Sequence, residues 1–282
     1  MRGRMAGAVV LMLAAGTAAG AGSADPWADI RVPASGRPEA IGSPAAGCLA
    51  GAVALPPDGD GYQAIRLERN RFYGHPDTIA FIRRLGRKAK GAGLGILLIG
   101  DMAQPRGGPM SFGHGSHQTG LDVDIWFRMA QRPLTAAERA EPQPVSMVAG
   151  RHVDPSRWSG AQVRLLRLAA ETPEVDRIFV NPAIKAELCG SVTGDRAWLR
   201  KIRPWWGHDE HFHVRLACPK DDPACAAQAP VPEGDGCGAE LAWWSVRGMV
   251  PGPSDRPDHR HPRLPAACAG ILKQAAAAAR SP

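Results

Sequence analysis

The amino-acid sequence predicts a single α+β domain built on a small antiparallel sheet, flanked by helices and by long loops tied by disulfides. Three observations support this fold class. Segments 121–127 and 211–217 alternate polar and apolar residues with the period of a β-strand. Segments 76–90 and 159–171 place apolar residues at helical spacing. The cysteines form an even set of six, as a disulfide framework requires.

The N-terminal segment has the order of a secretory signal peptide. Two arginines precede an apolar run over residues 5–15, and small residues follow. Cleavage after Ala21 and cleavage after Ala24 both satisfy the small-residue rule, and both sites stay open. We expect residues 1–24 to be the signal peptide and residues 25–282 to form an exported, periplasmic domain. No later window approaches the ~20 apolar residues of a membrane-spanning helix.

The first part of the exported chain is predicted to be an irregular arm. Residues 25–60 are rich in Pro, Gly, Ala and Ser and show little periodicity. The helix over 76–90 begins with a proline and is followed by a glycine, which are the expected start and stop residues. A short apolar run over 94–99, bounded by glycines, predicts a buried strand. A loop over 101–120, dense in Gly, Pro, Ser and His, leads into the strand at 121–127.

The second half of the chain continues the mixture of helices and strands. Beyond residue 219 it is again dominated by Pro, Gly and Ala, which predicts an irregular C-terminal arm. The elements predicted between these limits are a helix over 159–171, a strand over 175–180, a helix over 182–188, a short helix over 196–202 and the strand over 211–217.

Six cysteines permit 15 pairings. Cys218 and Cys225 are close enough to close a small loop. A zinc–thiolate site is disfavoured, because the sequence has no CxxC pair and an oxidising compartment removes free thiols. The nested arrangement is favoured: Cys48 with Cys268, Cys189 with Cys237, and Cys218 with Cys225.

The net charge of +7 bears on the class of partner. The basic residues are scattered, and no basic helix or aromatic stacking platform of the kind that binds nucleic acid is present. Because the chain is expected to be exported, an anionic polymer of the cell envelope is the partner that this charge favours.

Five of the nine histidines gather in two short segments, GHGSHQTGLDVDIW and WWGHDEHFHVRL. In a strand, residues i and i+2 point to the same face, so Asp122 and Asp124 share a face and so do His211 and His213. The alternatives are a solvated outer face for the charged alternation and a satisfied core position for a single histidine. Two strands that are both rich in ligand types favour a metal site instead.

The predicted metal is zinc, and its predicted ligands are His117, Asp124 and His213. Catalytic zinc sites use three protein ligands of this kind and leave a fourth position for water. Since His117 stands seven residues before Asp124, the loop can fold back onto its own strand. Zinc would lower the pKa of the bound water and polarise a scissile carbonyl.

The remaining polar residues of the two segments receive auxiliary roles. His211 lies on the same strand face as His213 and is predicted to be the catalytic base. His208 is predicted either to stabilise the oxyanion or to assist proton transfer, with an outer-shell role as the alternative. His114 is predicted to be an outer-shell partner or an extra metal ligand, and Asp122 a structural residue.

Three segments carry a resemblance to a known family. They are RGGPMSFGHGSHQTGLDVDIWF (106–127), DRIFVNPAIKAELC (176–189) and WWGHDEHFHVRLAC (205–218). Together they resemble the penicillin-insensitive murein endopeptidases, which belong to the group of lysostaphin-type enzymes, D-Ala-D-Ala metallopeptidases and the Hedgehog domain. The resemblance runs roughly from residue 48 to residue 268.

The resemblance implies a hydrolase that cuts the D-alanyl to meso-diaminopimelate bond of cross-linked murein with zinc-activated water. It implies His117, Asp124 and His213 as the Zn²⁺ ligands and His211 as the base. It also implies further metal binding through His114 together with His152 or Asp154.

Two other functions remain open at this point. A D-Ala-D-Ala carboxypeptidase or dipeptidase would use the same chemistry on a different bond, and a non-catalytic zinc module would only bind the cell wall. Retention of His211 disfavours the second, because a structural zinc site needs no base. Trp205 and Trp206, which precede the HxH strand, are predicted either to line a groove for the peptide stem or to pack in the interior.

Overall fold

The computed structural model describes residues 26–247 and 263–274. The predicted signal peptide, residues 1–24, lies outside the described residues. Helices and strands are mixed in a single domain, which confirms the predicted α+β class. The helices are α1 Pro76–Gly91, α2 Ala136–Ala140, α3 Gly160–Ala170, α4 Pro182–Ser191, α5 Ala239–Arg247 and α6 Ala266–Lys273, with 3-10 turns at Leu67–Arg69 and Ala197–Lys201. The strands are β1 Glu39–Ser43, β2 Ala46–Ala50, β3 Val53–Ala54, β4 Asp58–Gly59, β5 Tyr62–Ala64, β6 Tyr73–Gly74, β7 Leu97–Ile99, β8 Asp122–Trp126, β9 Val148–Ala149, β10 His152–Val153, β11 Val175–Val180, β12 Ile202–Pro204 and β13 His211–Leu216.

The main sheet has seven strands in the order β12-β11-β13-β8-β7-β5-β4. Its central pair, β8 and β13, is antiparallel, as the sequence predicts for the two polar strands. The sheet as a whole is wider and mixed, since β11 pairs with β12 in parallel and β5 pairs with β7 in parallel. These outer strands have two to six residues, and most are too short for an alternation pattern to reveal them.

The hydrophobic core lies on one face of this sheet. Val123 and Ile125 of β8 and Phe212 and Val214 of β13 are fully buried there, in one cluster with apolar residues of α1 and α3. Because successive strand residues point to opposite faces, the polar residues that alternate with these four are directed to the other face. Burial of the apolar half of each strand therefore fixes the position of its polar half.

The helices predicted from periodicity are present with bounds close to those expected. The prediction of 76–90 corresponds to α1, where Pro76 occupies the first turn and the ring of His75 accepts a hydrogen bond from the backbone of Asp77. The prediction of 159–171 corresponds to α3, which begins with a capping box formed by Ser159 and Gln162.

The prediction that the N-terminal arm is irregular was wrong. Strands β1 and β2 form a hairpin within it, with Ile41 opposite Cys48. Its alanines and glycines have low strand propensity, so the hairpin depends on tertiary packing. Ile41 and Cys48 are buried with Trp27 and Cys268 of α6. The C-terminal arm likewise contains α5 and α6 within its described residues.

This hairpin also holds both ends of the histidine-bearing loop. The backbone of Leu49 donates a hydrogen bond to the carbonyl of Arg106 over 2.9 Å. The backbone of Gly47 donates to the side-chain carbonyl of Gln118 over 3.1 Å. The loop over residues 106–118 is therefore closed by strand β2 at its base.

Three disulfides pair all six cysteines, in the nested arrangement that the sequence favours. They close loops with sequence separations of 220, 48 and 7 residues, respectively, for Cys48–Cys268, Cys189–Cys237 and Cys218–Cys225. Among the helices of residues 26–247 and 263–274, none has the length and apolar character that a membrane crossing requires.

Candidate metal centre

The polar face of the β8–β13 pair forms the floor of the site. In the antiparallel register, Asp124 stands directly opposite His213 and Asp122 stands opposite Arg215. His211 lies two residues before His213 on the same face. The same-face arrangement predicted from the period of the two strands is therefore present in the sheet.

The loop that precedes β8 brings two more histidines to this floor. The backbone N–H of His117 donates a hydrogen bond to Oδ2 of Asp122 over 3.0 Å, so the loop folds back onto its own strand. His117 has a φ of 67°, in the left-handed region that non-glycine residues seldom adopt. Its side chain is fully buried. His114 stands beside it, with the two ring centroids 4.4 Å apart.

Asp124 lies at the centre of four histidine rings. Its Oδ1 is 3.4 Å from Nε2 of His117 and 3.2 Å from Nδ1 of His213. Its Oδ2 is 3.6 Å from Nδ1 of His114 and 3.5 Å from Nε2 of His211. Each carboxylate oxygen thus faces two imidazole nitrogens.

The donor set fits a divalent metal ion. His114, His117 and Asp124 offer one ligand atom each within 4.8 Å of one another, and His213 borders this group through its contact with Asp124. Among protein atoms of the described chain, both ring nitrogens of His117 and Oδ1 of Asp124 are buried without a hydrogen-bond partner. Such atoms are costly unless something satisfies them, and a cation would do so.

The protonation states of His117 and Asp124 suit the same ion. Burial lowers the pKa of His117 to about 4, against the opposing attraction of Asp124, so the imidazole is neutral near pH 7. Burial raises the pKa of Asp124, but His211, His117 and His114 outweigh that effect and bring its pKa well below the usual value. Neutral imidazole and ionised carboxylate are the forms that bind metals.

Asp122 orients His213 from behind. Its Oδ1 is 3.0 Å from Nε2 of His213 and accepts a hydrogen bond from Nε of Arg215 over 2.7 Å. Burial raises the pKa of Asp122, but Arg215 and His213 outweigh it, so the net shift is downward. With Nε2 engaged in this way, Nδ1 of His213 is the nitrogen that faces Asp124.

Asp101, which the sequence does not single out, serves His114 in the same manner. Its Oδ2 is 3.0 Å from Nε2 of His114 and accepts hydrogen bonds from Arg69 over 3.2 Å and from Arg71 over 3.1 Å. Burial raises the pKa of Asp101, but His114 and Arg69 outweigh it and lower the pKa to about 2. The one available signal in the sequence was an aspartate soon after a buried strand, β7.

The surroundings of His208 bear on its predicted roles. Its Nδ1 is 2.7 Å from the carbonyl oxygen of Trp206, and because a carbonyl only accepts, Nδ1 carries the proton. Burial, followed by the charges of His211 and His213, lowers the pKa of His208 to about 3. In the neutral ring Nε2 is therefore an acceptor, which fits proton transfer better than donation to an oxyanion.

Asn181 holds the turn that carries His208. Its backbone N–H donates to the carbonyl of His208 and its side-chain Nδ2 donates to the carbonyl of Gly207, both over 2.9 Å. Its Oδ1 accepts from the backbone of Ala183 and caps helix α4. The Asn-Pro pair at 181–182 signals a helix start, but no local pattern signals the contact with a turn 26 residues later.

His152 and Asp154, which the resemblance adds to the metal site, do not belong to the metal-capable group found among the described residues. His152 is exposed on the short strand β10. Oδ1 of Asp154 accepts hydrogen bonds from the backbone and the hydroxyl of Ser156, over 2.9 and 2.6 Å. The carboxylate of Asp154 therefore stabilises a local turn.

Comparison with known proteins identifies the family to which the chain belongs. The family model described as penicillin-insensitive murein endopeptidase matches residues 40–273. The chain is 46 % identical over 272 residues to a penicillin-insensitive murein endopeptidase of Klebsiella pneumoniae subsp. pneumoniae, covering 96 % of this chain and 99 % of the relative. It is 46 % identical over 254 residues to a protein of the same name from Salmonella heidelberg, covering 89 % and 92 %. The chain belongs to the penicillin-insensitive murein endopeptidase family.

Proposed function

We propose that the protein is a zinc metallopeptidase that hydrolyses D-alanyl to meso-diaminopimelyl cross-links in peptidoglycan and is insensitive to penicillin. The observation that carries this proposal is the ring of four histidines around Asp124, in a chain that belongs to this family. The proposed location is the periplasm, reached through the signal peptide at residues 1–24.

His117, Asp124 and His213 are the proposed zinc ligands, and His114, whose Nδ1 faces Oδ2 of Asp124, would be a further ligand. Imidazole and carboxylate together are the ligand types that zinc prefers in hydrolytic sites. When bound, zinc supplies a Lewis acid for the scissile carbonyl and lowers the pKa of water. Asp122 and Asp101 keep the rings of His213 and His114 in their orientations.

His211 is the proposed general base. Its Nε2 lies 3.5 Å from Oδ2 of Asp124, and 26 % of its side chain is exposed, so it is the histidine of this group that most readily meets a substrate. It takes a proton from the attacking water and delivers a proton to the leaving amine of diaminopimelate. His208, 5.2 Å from His211 between ring centroids, stays neutral and offers Nε2 as a hydrogen-bond acceptor that assists this transfer.

Penicillin insensitivity follows from the use of water, and not of a serine side chain, as the nucleophile. A β-lactam inhibits a peptidase by acylating its nucleophilic serine. Hydrolysis by water under base catalysis from His211 forms no acyl-enzyme, so the drug has no group to trap.

The test is digestion of purified cross-linked murein by the mature protein, with and without a chelator and with and without penicillin. The released muropeptides are identified by chromatography and mass spectrometry. We expect dimers to be converted to monomers, with the conversion abolished by the chelator, restored by added zinc and unaffected by penicillin. Release of terminal alanine alone would identify a carboxypeptidase, and binding to murein without products would identify a wall-binding module.

A further inference from the structure

An aromatic wall rises beside the metal centre and is not used by the proposed mechanism. It consists of Phe179 from β11, Trp205 and Trp206 from the segment before β13, and Trp243 and Trp244 from α5. Segments that are far apart in the sequence thus bring four tryptophans and a phenylalanine to one place.

Ring contacts connect this wall to the metal centre without a break. The ring centroid of Phe179 is 5.4 Å from that of His213 and 5.7 Å from that of Trp205. The centroid of Trp205 is 6.0 Å from that of Trp244, which is 5.0 Å from that of Trp243. The wall is therefore a lateral extension of the site.

The wall is held in a fixed position. Arg203 of β12 forms a hydrogen-bonded ion pair with Glu240 of α5. The disulfide Cys189–Cys237 ties the start of α5 to the end of α4. Trp244 is buried, with 6 % of its surface exposed, and so anchors helix α5 to the rest of the protein. A surface fixed in this way needs little ordering when a ligand binds.

The outer end of the wall faces solvent. Trp205 is 42 % exposed and Trp243 is 43 % exposed, which makes them two of the few large apolar side chains on the described surface. Exposed aromatic residues beside an active site indicate a binding surface. The negative face of an indole ring attracts the C–H groups of a flat apolar surface, and the face of a pyranose sugar presents such groups.

We propose that the aromatic wall binds the glycan strand of peptidoglycan, with N-acetylated pyranose rings placed against Trp205 and Trp243. This inference rests on the proposed function, because it assumes that the stem peptide attached to that glycan lies in the metal centre. The stem peptide carries carboxylates, which cationic groups would bind. The wall presents aromatic faces instead, and these suit a sugar ring better than a carboxylate.

The dimensions of the substrate agree with this placement. Three to four residues separate the scissile carbonyl from the sugar to which the stem is attached, and extended chain spans about 3.3–3.6 Å per residue, or about 10–14 Å in all. Two ring-to-ring steps of 5.4 and 5.7 Å lead from His213 to Trp205. A cross-link at the metal centre can thus place its own sugar beside Trp205, whereas Trp243, two further ring contacts of 6.0 and 5.0 Å along the wall, would meet another sugar of the same strand.

The experiment uses the full mature protein with Trp243→Ala, and with Val246→Ala as the matched control. Val246 lies on the same helix and is 87 % exposed. Binding of peptide-free glycan strands is measured by calorimetry, and circular dichroism checks that both variants are folded. We expect saturable binding by the unmodified protein, binding about five- to tenfold weaker in Trp243→Ala, and no change in Val246→Ala.

Hydrolysis provides the second measurement. Each protein is assayed on a glycan-bearing cross-linked dimer and on the same cross-linked peptide stripped of its sugars. We expect the ratio of kcat/KM between the two substrates to fall about five- to tenfold in Trp243→Ala and to stay constant in Val246→Ala. Equal losses on both substrates, or absence of glycan binding by the unmodified protein, would overturn the inference. Glycan binding without hydrolysis of either dimer would instead overturn the proposed function.

Discussion

Two histidines that stand two positions apart on one strand have different surroundings at the metal centre. Nε2 of His213 is engaged by Asp122, and the ring is nearly buried. His211 contacts Oδ2 of Asp124 and remains partly exposed. The buried and oriented ring suits a ligand, whereas the accessible ring suits a group that exchanges protons.

We therefore expect His213→Ala to lose both zinc binding and hydrolysis. In His211→Ala the zinc content should persist, because the proposed ligands are intact, while kcat falls by about 10²–10⁴ through loss of general base catalysis. The zinc content of the purified variants is measured by elemental analysis. Their kcat is measured with murein dimers as the substrate. A fully active His211→Ala variant would show that the base is a different residue.

The sequence predicts a site residue only where a local pattern, such as strand alternation, reveals it. The shared faces of Asp122, Asp124, His211 and His213 follow from strand periodicity alone, so they were predictable. Asp101 was not, because only tertiary folding brings it to His114. Residues that only hold another site residue in place, as Asp101 holds His114, generally show no sequence pattern of their own.

Lys185 on α4 is a buried charge away from the metal centre. Its Nζ donates hydrogen bonds to the carbonyls of Leu199 and Asp235, over 2.8 and 2.6 Å, and none of its surface is exposed. Burial, followed by the charge of Arg203, lowers the pKa of Lys185 from 10.5 to about 8. Between these two pH values the unfolded chain binds more protons than the folded one, so stability rises with pH.

We expect the free energy of unfolding to rise from pH 8 to pH 10.5 more steeply in the unmodified protein than in Lys185→Met. The variant should also be less stable throughout, because the carbonyls of Leu199 and Asp235 lose their donor. Urea unfolding at a series of pH values measures both effects. Parallel curves would mean that the pKa of Lys185 is not lowered by folding.

Among the secondary-structure elements, the start of α4 has two tasks. Asn181 caps the helix through Oδ1 and holds the turn at Gly207 and His208 through its backbone and side-chain N–H groups. The φ of His208 is 53°, a left-handed conformation that needs support from outside the turn. The start of α4 therefore positions His208, the proposed hydrogen-bond acceptor beside His211.

Two variants separate these tasks. Asn181→Asp keeps an acceptor for the helix cap but loses the donor to Gly207, whereas Asn181→Ala loses both. We expect kcat to fall in both variants, with KM little changed, and the free energy of unfolding to fall by about 1 kcal/mol more in Asn181→Ala. If kcat fell in Asn181→Ala alone, in step with stability, Asn181 would be a cap and nothing more.

The elements differ in how far the sequence predicted them. Helices α1 and α3 have enough turns for an apolar stripe to show. The β1–β2 hairpin was not predicted, because its Ala- and Gly-rich strands gain stability from tertiary contacts, such as packing against α6 and Trp27. Strands of two or three residues, such as β4 and β5, are too short to carry a period.

In the whole molecule, the two ends of the described chain are joined. Cys48 of β2 and Cys268 of α6 form a disulfide across 220 residues of sequence. The guanidinium Nη1 of Arg106 donates to the carbonyls of Ile271, Leu272 and Gln274 at the end of α6. Helix α6 is therefore fastened to the base of the histidine-bearing loop.

Replacing Cys48 and Cys268 by Ala should lower the free energy of unfolding by about 5 kcal/mol, because a long loop in the unfolded chain is released. Replacing Cys218 and Cys225, which close a loop of seven residues, should cost only about 2 kcal/mol. Chemical denaturation of the two double variants makes the comparison. Equal losses would show that loop length does not determine the effect.

The disulfide between β2 and α6 imposes an order of events on the folding of the protein. Cys268 stands 220 residues after Cys48, so the hairpin that closes the histidine loop can be joined to α6 only after that stretch of chain has been synthesised. Since disulfides form in oxidising compartments, Cys48 and Cys268 can pair only after residue 268 has reached such a compartment. We therefore expect the protein to acquire its finished site in an oxidising compartment, once both cysteines have reached it.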